Sequence, residues 1–313
     1  METRLIEFTE IITPDDVHYP LDGIVDRALV SGPSGSGMPP VEYATQQGAY
    51  QHGETVTSYR FQPRIVQLVY RRNASNRDGY WRIRDELVDV LRPNRKTIGN
   101  VPQPLVLRGI RPDGRIRDLD VLIDRGPEFE STGSDWDEWS IQEGLRLIAH
   151  NPAYYDPTTL PLSFVFTMSG ELSFPISFPI SFGASRSIED QSITYVGNWI
   201  EYPVITITGP CNYVIISNLT TDEEITFNYP RSAGQQVVID TRHGRKTAID
   251  PAITDINDPG YNLLGGVSGD LGTFHIEAAP EAVGGVNDLR VFLSTPTTFG
   301  TVDISYNTRY LSG

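Results

Sequence analysis

Alternating apolar and polar residues dominate this chain. The pattern recurs in residues 61–72 (FQPRIVQLVYRR), 105–123 (LVLRGIRPDGRIRDLDVLI), 160–170 (LPLSFVFTMSG), 202–210 (YPVITITGP), 211–219 (CNYVIISNL) and 223–230 (EEITFNYP). It continues in 235–249 (QQVVIDTRHGRKTAI), 272–279 (GTFHIEAA), 287–294 (NDLRVFLS) and 300–311 (GTVDISYNTRYL). Gly, Pro, Asn and Asp separate the runs, so the pattern predicts half-buried antiparallel strands. Pro112-Asp113-Gly114 predicts a hairpin turn, because Pro presets the first turn angle and Gly accepts the positive one. The expected fold is mainly β.

Two segments break the two-residue period. In residues 76–95 (NRDGYWRIRDELVDVLRPNR) the spacing predicts a helix from Asp78 to Leu91. Trp81, Leu87, Val88 and Leu91 form its inward face, and Pro93 stops it. A shorter helix is predicted over Ser140 to Ala149. In the middle lies the local repeat SFPISFPISFG, with Phe174, Phe178 and Phe182 four residues apart. Pro175 and Pro179 exclude both a helix and a central strand there, so the repeat reads as a connector. The expected organisation is a β-rich domain over 1–165, a connector over 166–194 and a second β domain over 195–313.

Composition limits the chemistry. With 313 residues the chain can bury two ordinary cores. No stretch reaches the roughly 18 apolar residues of a membrane span, and METRLIEFTE lacks the order of a signal peptide, so a soluble protein made in a cytoplasm is expected. Cys211 is the single cysteine, which rules out an intrachain disulfide and a cysteine-built zinc site. The formal charge of −15 argues against wrapping nucleic acid. Between Arg60 and Arg125, however, 15 Lys+Arg meet 8 Asp+Glu, a local +7 that leaves −22 on the rest. Almost all of this basicity is arginine, whose planar fork suits fixed pairing with carboxylates. A basic middle with acidic flanks suits subunits that pair with copies of themselves.

Candidate catalytic and ligand motifs fail on inspection. SGPSGSGMPP (31–40) has the glycines of a phosphate loop at Gly32 and Gly37, but Met38 and Pro39 occupy the lysine and hydroxyl positions. Pro40 also disfavours the helix that should follow. The string DINDPGYNLLGG from Asp255 resembles a calcium loop until Gly266 falls where the bidentate Glu is required. The five histidines show no metal-ligand spacing, and no G-x-S-x-G nucleophile turn occurs. Asp118 with Asp120, and Asp135, Asp137 and Glu138, are acidic clusters without a second feature of a glycan hydrolase. Trp136 and Trp139 are the better candidates for a sugar platform, since the second domain offers only Trp199 at its start. No catalytic residue, metal or cofactor is expected.

The order of several weak motifs resembles a known family. They are GNWIEYPVITITGPCNYVIISNLTTDEEITFNY, VVIDTRHGRKTAI and GTFHIEAAPEAVGGVNDLRVFLSTPTTFGTVDISYNTRYLSG, preceded by GAYQHGETVTSYRFQPRIVQLVYR, PDGRIRDLDV, AHNPAYYDP and FPISFPISFG. Together they are similar to the distal tail proteins of long, non-contractile-tailed bacteriophages, in a longer variant. The resemblance implies a β-rich N-terminal domain that closes into a hexameric ring and a galectin-like β-sandwich after it. It implies a non-enzymatic virion protein at the tail tip, with tail-tube protein, tail-tip hub protein and receptor-binding protein as partners. Arg60, Arg64, Arg71, Arg72, Arg82, Arg84 and Arg95 are then candidates for subunit contacts or for lining the bore. Gly32, Gly35 and Gly37 become candidates for an assembly arm. The alternative from another class is a carbohydrate-binding adhesin.

Overall fold

The computed structural model describes residues 7–21, 27–98, 100–129, 140–166, 186–294 and 300–313. The chain divides into two compact units, Met1–Pro157 with Tyr310–Gly313, and Thr158–Arg309.

The first unit contains β1 (Glu7–Ile12), β2 (His18–Pro20), β3 (Arg27–Ser34), β4 (Val41–Gln46), β5 (Thr55–Phe61) and β6 (Arg64–Asn73), followed by α1 (Arg77–Leu91). Then come β7 (Thr97–Ile98), β8 (Val101–Pro102), β9 (Leu105–Ile110), β10 (Ile116–Arg125), β11 (Ser140–Ala149) and β12 (Tyr154–Tyr155). Its main sheet runs β2-β1-β9-β10-β11-β6-β3, with β12 beside β10. The Pro112-Asp113-Gly114 turn joins β9 to β10 as the sequence predicts. Gly114 has φ +81°, its N–H donates to Arg111 O at 2.9 Å, and Asp113 Oδ1 accepts from Arg115 N at 3.1 Å. Core-facing residues alternate along the strands, as in Arg64, Val66, Leu68 and Tyr70 of β6.

Two sequence expectations change here. Ser140–Ala149 is the strand β11, paired residue for residue with β6, and not a short helix. Ile141, Leu145, Leu147 and Ala149 are buried at two-residue spacing, and Gly144 between them disfavours a helix. In α1 the buried stripe is Ile83, Leu87, Val90 and Leu91, while Trp81 and Val88 are about half exposed. Both stripes fit a helical period, and the sheet selects the one centred on Ile83 and Leu87. Asn76 caps the helix by accepting from Gly79 N at 2.8 Å. Residues Leu87, Val90 and Leu91 join Phe8, Leu107 and Leu147 in one core.

The second unit contains β13 (Leu160–Val165), β14 (Arg186–Thr194), β15 (Val204–Thr208), β16 (Tyr213–Asn218) and β17 (Glu223–Phe227). They are followed by β18 (Gln236–Asp240), β19 (Thr247–Ile249), β20 (Val267–Gly269), β21 (Val286–Ser294) and β22 (Thr301–Tyr306). They form two five-stranded antiparallel sheets, β13-β22-β15-β18-β19 and β14-β21-β16-β17-β20. Ile205, Val237 and Ile304 of one sheet share a core with Ile216, Ile225 and Val291 of the other, the arrangement of a β-sandwich. Its ladder begins at Leu160, where β13 pairs with β22, and Arg186–Thr194 is a strand along β21. The repeat at 173–183 lies outside the described residues. Residues 272–279, expected as a strand, contribute a single bridge between Ile276 and Glu201.

Candidate assembly site: an exposed hairpin and its root

Among the described residues, strands β4 and β5 pair only with each other, as a two-stranded sheet. Val41 opposes Phe61 and Tyr43 opposes Tyr59, which places these four side chains on one face; the Tyr59 and Phe61 rings meet edge-on at 5.9 Å. Glu42 opposes Arg60 on the other face, where they form an ion pair at 2.7 Å, and Gln62 also donates to Glu42. Tyr43 is 59% exposed, Tyr59 58% and Val56 60%, and Tyr50 at the tip is fully exposed. A lone two-stranded ribbon is at best marginally stable in water, and rings exposed to this extent mark a surface that is completed by another surface.

The root of this hairpin is rigid. Pro39 and Pro40 lead into it and Pro63 leads out, and Gln62 N donates to Pro40 O at 2.8 Å. Gly35 has φ +84°, and a Cβ there would lie 2.0 Å from Ile65 O, so only glycine fits. A Cβ at Gly37 would meet nothing. Arg64 opens β6 three residues after the end of the second leg and is only 1% exposed. Its guanidinium donates to Gly35 O at 2.7 Å, Pro152 O at 2.8 Å, Leu311 O at 2.6 Å and also to Gly37 O, and it lies 4.7 Å from the Tyr154 ring centre. Burial lowers its pKa, while the guanidinium stays charged among carbonyl dipoles.

The seven candidate arginines therefore do different work. Arg60 lies exposed on the hairpin and Arg82 lies exposed on α1. Arg64 is internal to its own unit, which removes it from any bore lining. Arg72 pairs with Glu86 at 2.7 Å and donates to Tyr19 Oη at 3.2 Å; burial opposes its charge, but these bonds prevail and raise its pKa. Arg95 clasps Asp15 at 2.6 and 2.9 Å and Asp89 at 2.6 Å, holding the Asp15 carboxyl well below the usual range. Arg84 stacks on Trp81 at 4.7 Å and Phe129 at 4.3 Å, and Arg71 donates to Asn73 Oδ1 at 3.3 Å. Of the three glycines, Gly32 lies within β3, whereas Gly35 and Gly37 form the hairpin's root. The exposed hairpin spans residues 41–61 and follows directly on the Gly-Ser stretch at 31–40.

Four of the acidic candidates are occupied structurally. Asp118 holds Arg108 through two bonds of 2.8 Å, and Asp120 accepts from Tyr155 Oη at 2.9 Å. Asp255 and Asp258 fold their own turns, accepting from Asn257 N at 3.0 Å and Gly260 N at 2.7 Å. Asp135, Trp136, Asp137, Glu138 and Trp139 lie outside the described residues. Among the described residues no group of three or more His, Cys, Asp or Glu could hold a metal ion, and no helix is long and apolar enough to cross a membrane. An aromatic pair missed in the sequence sits on the second unit, where the Tyr213 and Phe292 rings lie 5.4 Å apart across β16 and β21.

The fold of the chain is similar to that of solved phage proteins. The Dit protein (gp 19.1) of phage SPP1, described as a paradigm of the hub adsorption apparatus in phages infecting Gram-positive bacteria, is similar at a TM-score of 0.53. Identity is 11%, over 91% of this chain and 93% of that one. The fold is that of a phage Dit protein. A chain of the phage P2 baseplate in its activated conformation with Ca gives a TM-score of 0.54 at 12% identity, over 96% of this chain and 97% of that one. The same baseplate with Sr gives 0.53 at 12%, over 95% and 97%. No family model and no curated protein matches the chain by sequence. The Dit fold is thus retained with almost none of the sequence identity, as expected where alternation and turns, and not particular side chains, specify strands.

Proposed function

We propose that this chain is a structural distal tail protein of a phage, closing into a hexameric ring at the tail tip and working without catalysis. The observation that carries the reading is the likeness to Dit and baseplate chains through both units and nearly the full length. The hairpin supplies the means. Its apolar face carries Tyr43 and Tyr59, each nearly 60% exposed in the protomer, and burial against a neighbouring copy covers them. Such a head-to-tail contact repeats from subunit to subunit and closes when the rotation permits. The first unit provides these contacts, with Arg60 on the arm and Arg82 on α1 at the subunit boundary. The second unit, a galectin-like sandwich, carries receptor-binding protein, and the ring joins tail-tube protein to the tail-tip hub.

The test is the mass of the purified chain in solution, with and without the arm. A closed oligomer of six subunits is expected, together with a monomer when residues 41–61 are replaced by a short Gly-Ser link. A full-length chain that stays monomeric at high concentration and is retained on glycan columns would instead support the adhesin reading.

A further inference from the structure

We infer that Arg64 is the positioning residue of the hairpin arm, stapling its two legs together so that the arm leaves the first unit in a single direction. This inference rests on the assembly reading above and names the device that regulates it. Arg64 lies three residues after the end of the arm's outgoing leg, and its side chain grips Gly35 O and Gly37 O just before the incoming leg. One residue thereby closes a loop from 37 to 64. The same guanidinium holds Pro152 O and Leu311 O, and Gly313 N donates to Ser36 O at 3.0 Å, so the staple is fixed to two further segments of the unit.

The chemistry requires arginine. The bonds leave from Nε, Nη1 and Nη2, both edges of a planar fork, toward carbonyls on three separate segments. A lysine ammonium is a point donor and cannot span them. The position also faces the core on β6, in line with Val66, Leu68 and Tyr70, where an apolar residue would serve if packing were the whole purpose. An arm held this way loses less freedom when it docks, and reduced ordering cost favours association.

The experiment uses the full chain and measures hydrogen exchange along it together with the concentration at which oligomers form. In Arg64→Lys, exchange is expected to accelerate at residues 35–38 and along β4 and β5 while β9 and β10 keep their protection. The assembly concentration should rise roughly tenfold, the scale of losing one charge-assisted hydrogen bond. Gly126→Ala, which adds a methyl in open space away from the root, should match the parent in both measurements. Unchanged exchange and assembly in Arg64→Lys would overturn the inference. Exchange rising equally throughout the unit would also overturn it, by reducing Arg64 to a core residue. If instead the chain lacking residues 41–61 still forms rings, the arm reading fails, while the exchange pattern of Arg64→Lys still decides whether Arg64 fixes the root.

Discussion

Replacing Tyr43 and Tyr59 together by alanine separates assembly from folding. Each ring is nearly 60% exposed in the protomer. An aromatic side chain that becomes fully covered buries about 150–250 Å², so each tyrosine has roughly 100 Å² left to bury on a neighbour. At about 25 cal/mol per Å² that is about 2.5 kcal/mol per ring, reduced to about 1.5 once imperfect covering and side-chain ordering are included. The pair then contributes about 3 kcal/mol per subunit contact, a factor of more than ~100 in the contact's equilibrium constant. Sedimentation over a dilution series should therefore show the doubly substituted chain dissociated where the parent is a closed ring. Removing exposed rings should cost the protomer no more than about 0.5 kcal/mol, because they pack on no core. Denaturant unfolding under dissociating conditions checks that part. An unchanged assembly concentration would refute the argument, as would a protomer destabilised by several kcal/mol.

Three further outcomes are expected. Gly35→Ala should destabilise the first unit by about 2 kcal/mol or more, because its Cβ would lie 2.0 Å from Ile65 O at φ +84°; thermal unfolding measures this. Asp250→Ala should cost about 3–5 kcal/mol in the second unit, because Arg231, paired to it at 3.1 Å in a buried setting, would lose its partner. Burial opposes protonation of His275, but its bonds to Glu277 and Thr273 O and the nearby Glu223 outweigh this and raise its pKa above 6.5. The folded state thus holds this proton more tightly than the unfolded state. Its stabilisation is complete below about pH 6.5 and is lost as pH rises through the folded value. Denaturant midpoints at pH 6 and 8.5 should reveal this fall, and His275→Asn should flatten it.

The strands were legible wherever one face is buried, since alternation in segments such as VITIT and YVIISN survives any change of side chain. β11 was misread because Leu145, Leu147 and Ile148 also fit a short helical turn, and only the partner strand β6 resolves the ambiguity. The sequence places the helix correctly but with its stripe turned by about a quarter of a revolution, because Trp81 and Val88 weigh as heavily in an apolar stripe as Ile83 and Val90. The arm escaped notice for a physical reason. VEYATQ and TVTSYRF bury neither face, so they lack the contrast that announces a strand. The glycines and prolines beside them were conspicuous, and they mark the root. Arg64 looked like one more surface charge because its ligands are main-chain carbonyls, which a sequence does not spell.

On the proposed assembly, the Glu42–Arg60 pair and the break in register between Ala44 and Thr45 have a consequence for the unassembled protomer. Among the described residues the ribbon has two open strand edges beside an aromatic face, the combination that promotes indiscriminate stacking of ribbons into fibres. Charges on the opposite face penalise burial against a second ribbon's apolar side, and the bulge twists the edge out of the flat geometry that such stacking needs. On that reading the ribbon is kept soluble before it docks, and sticky toward only one kind of surface.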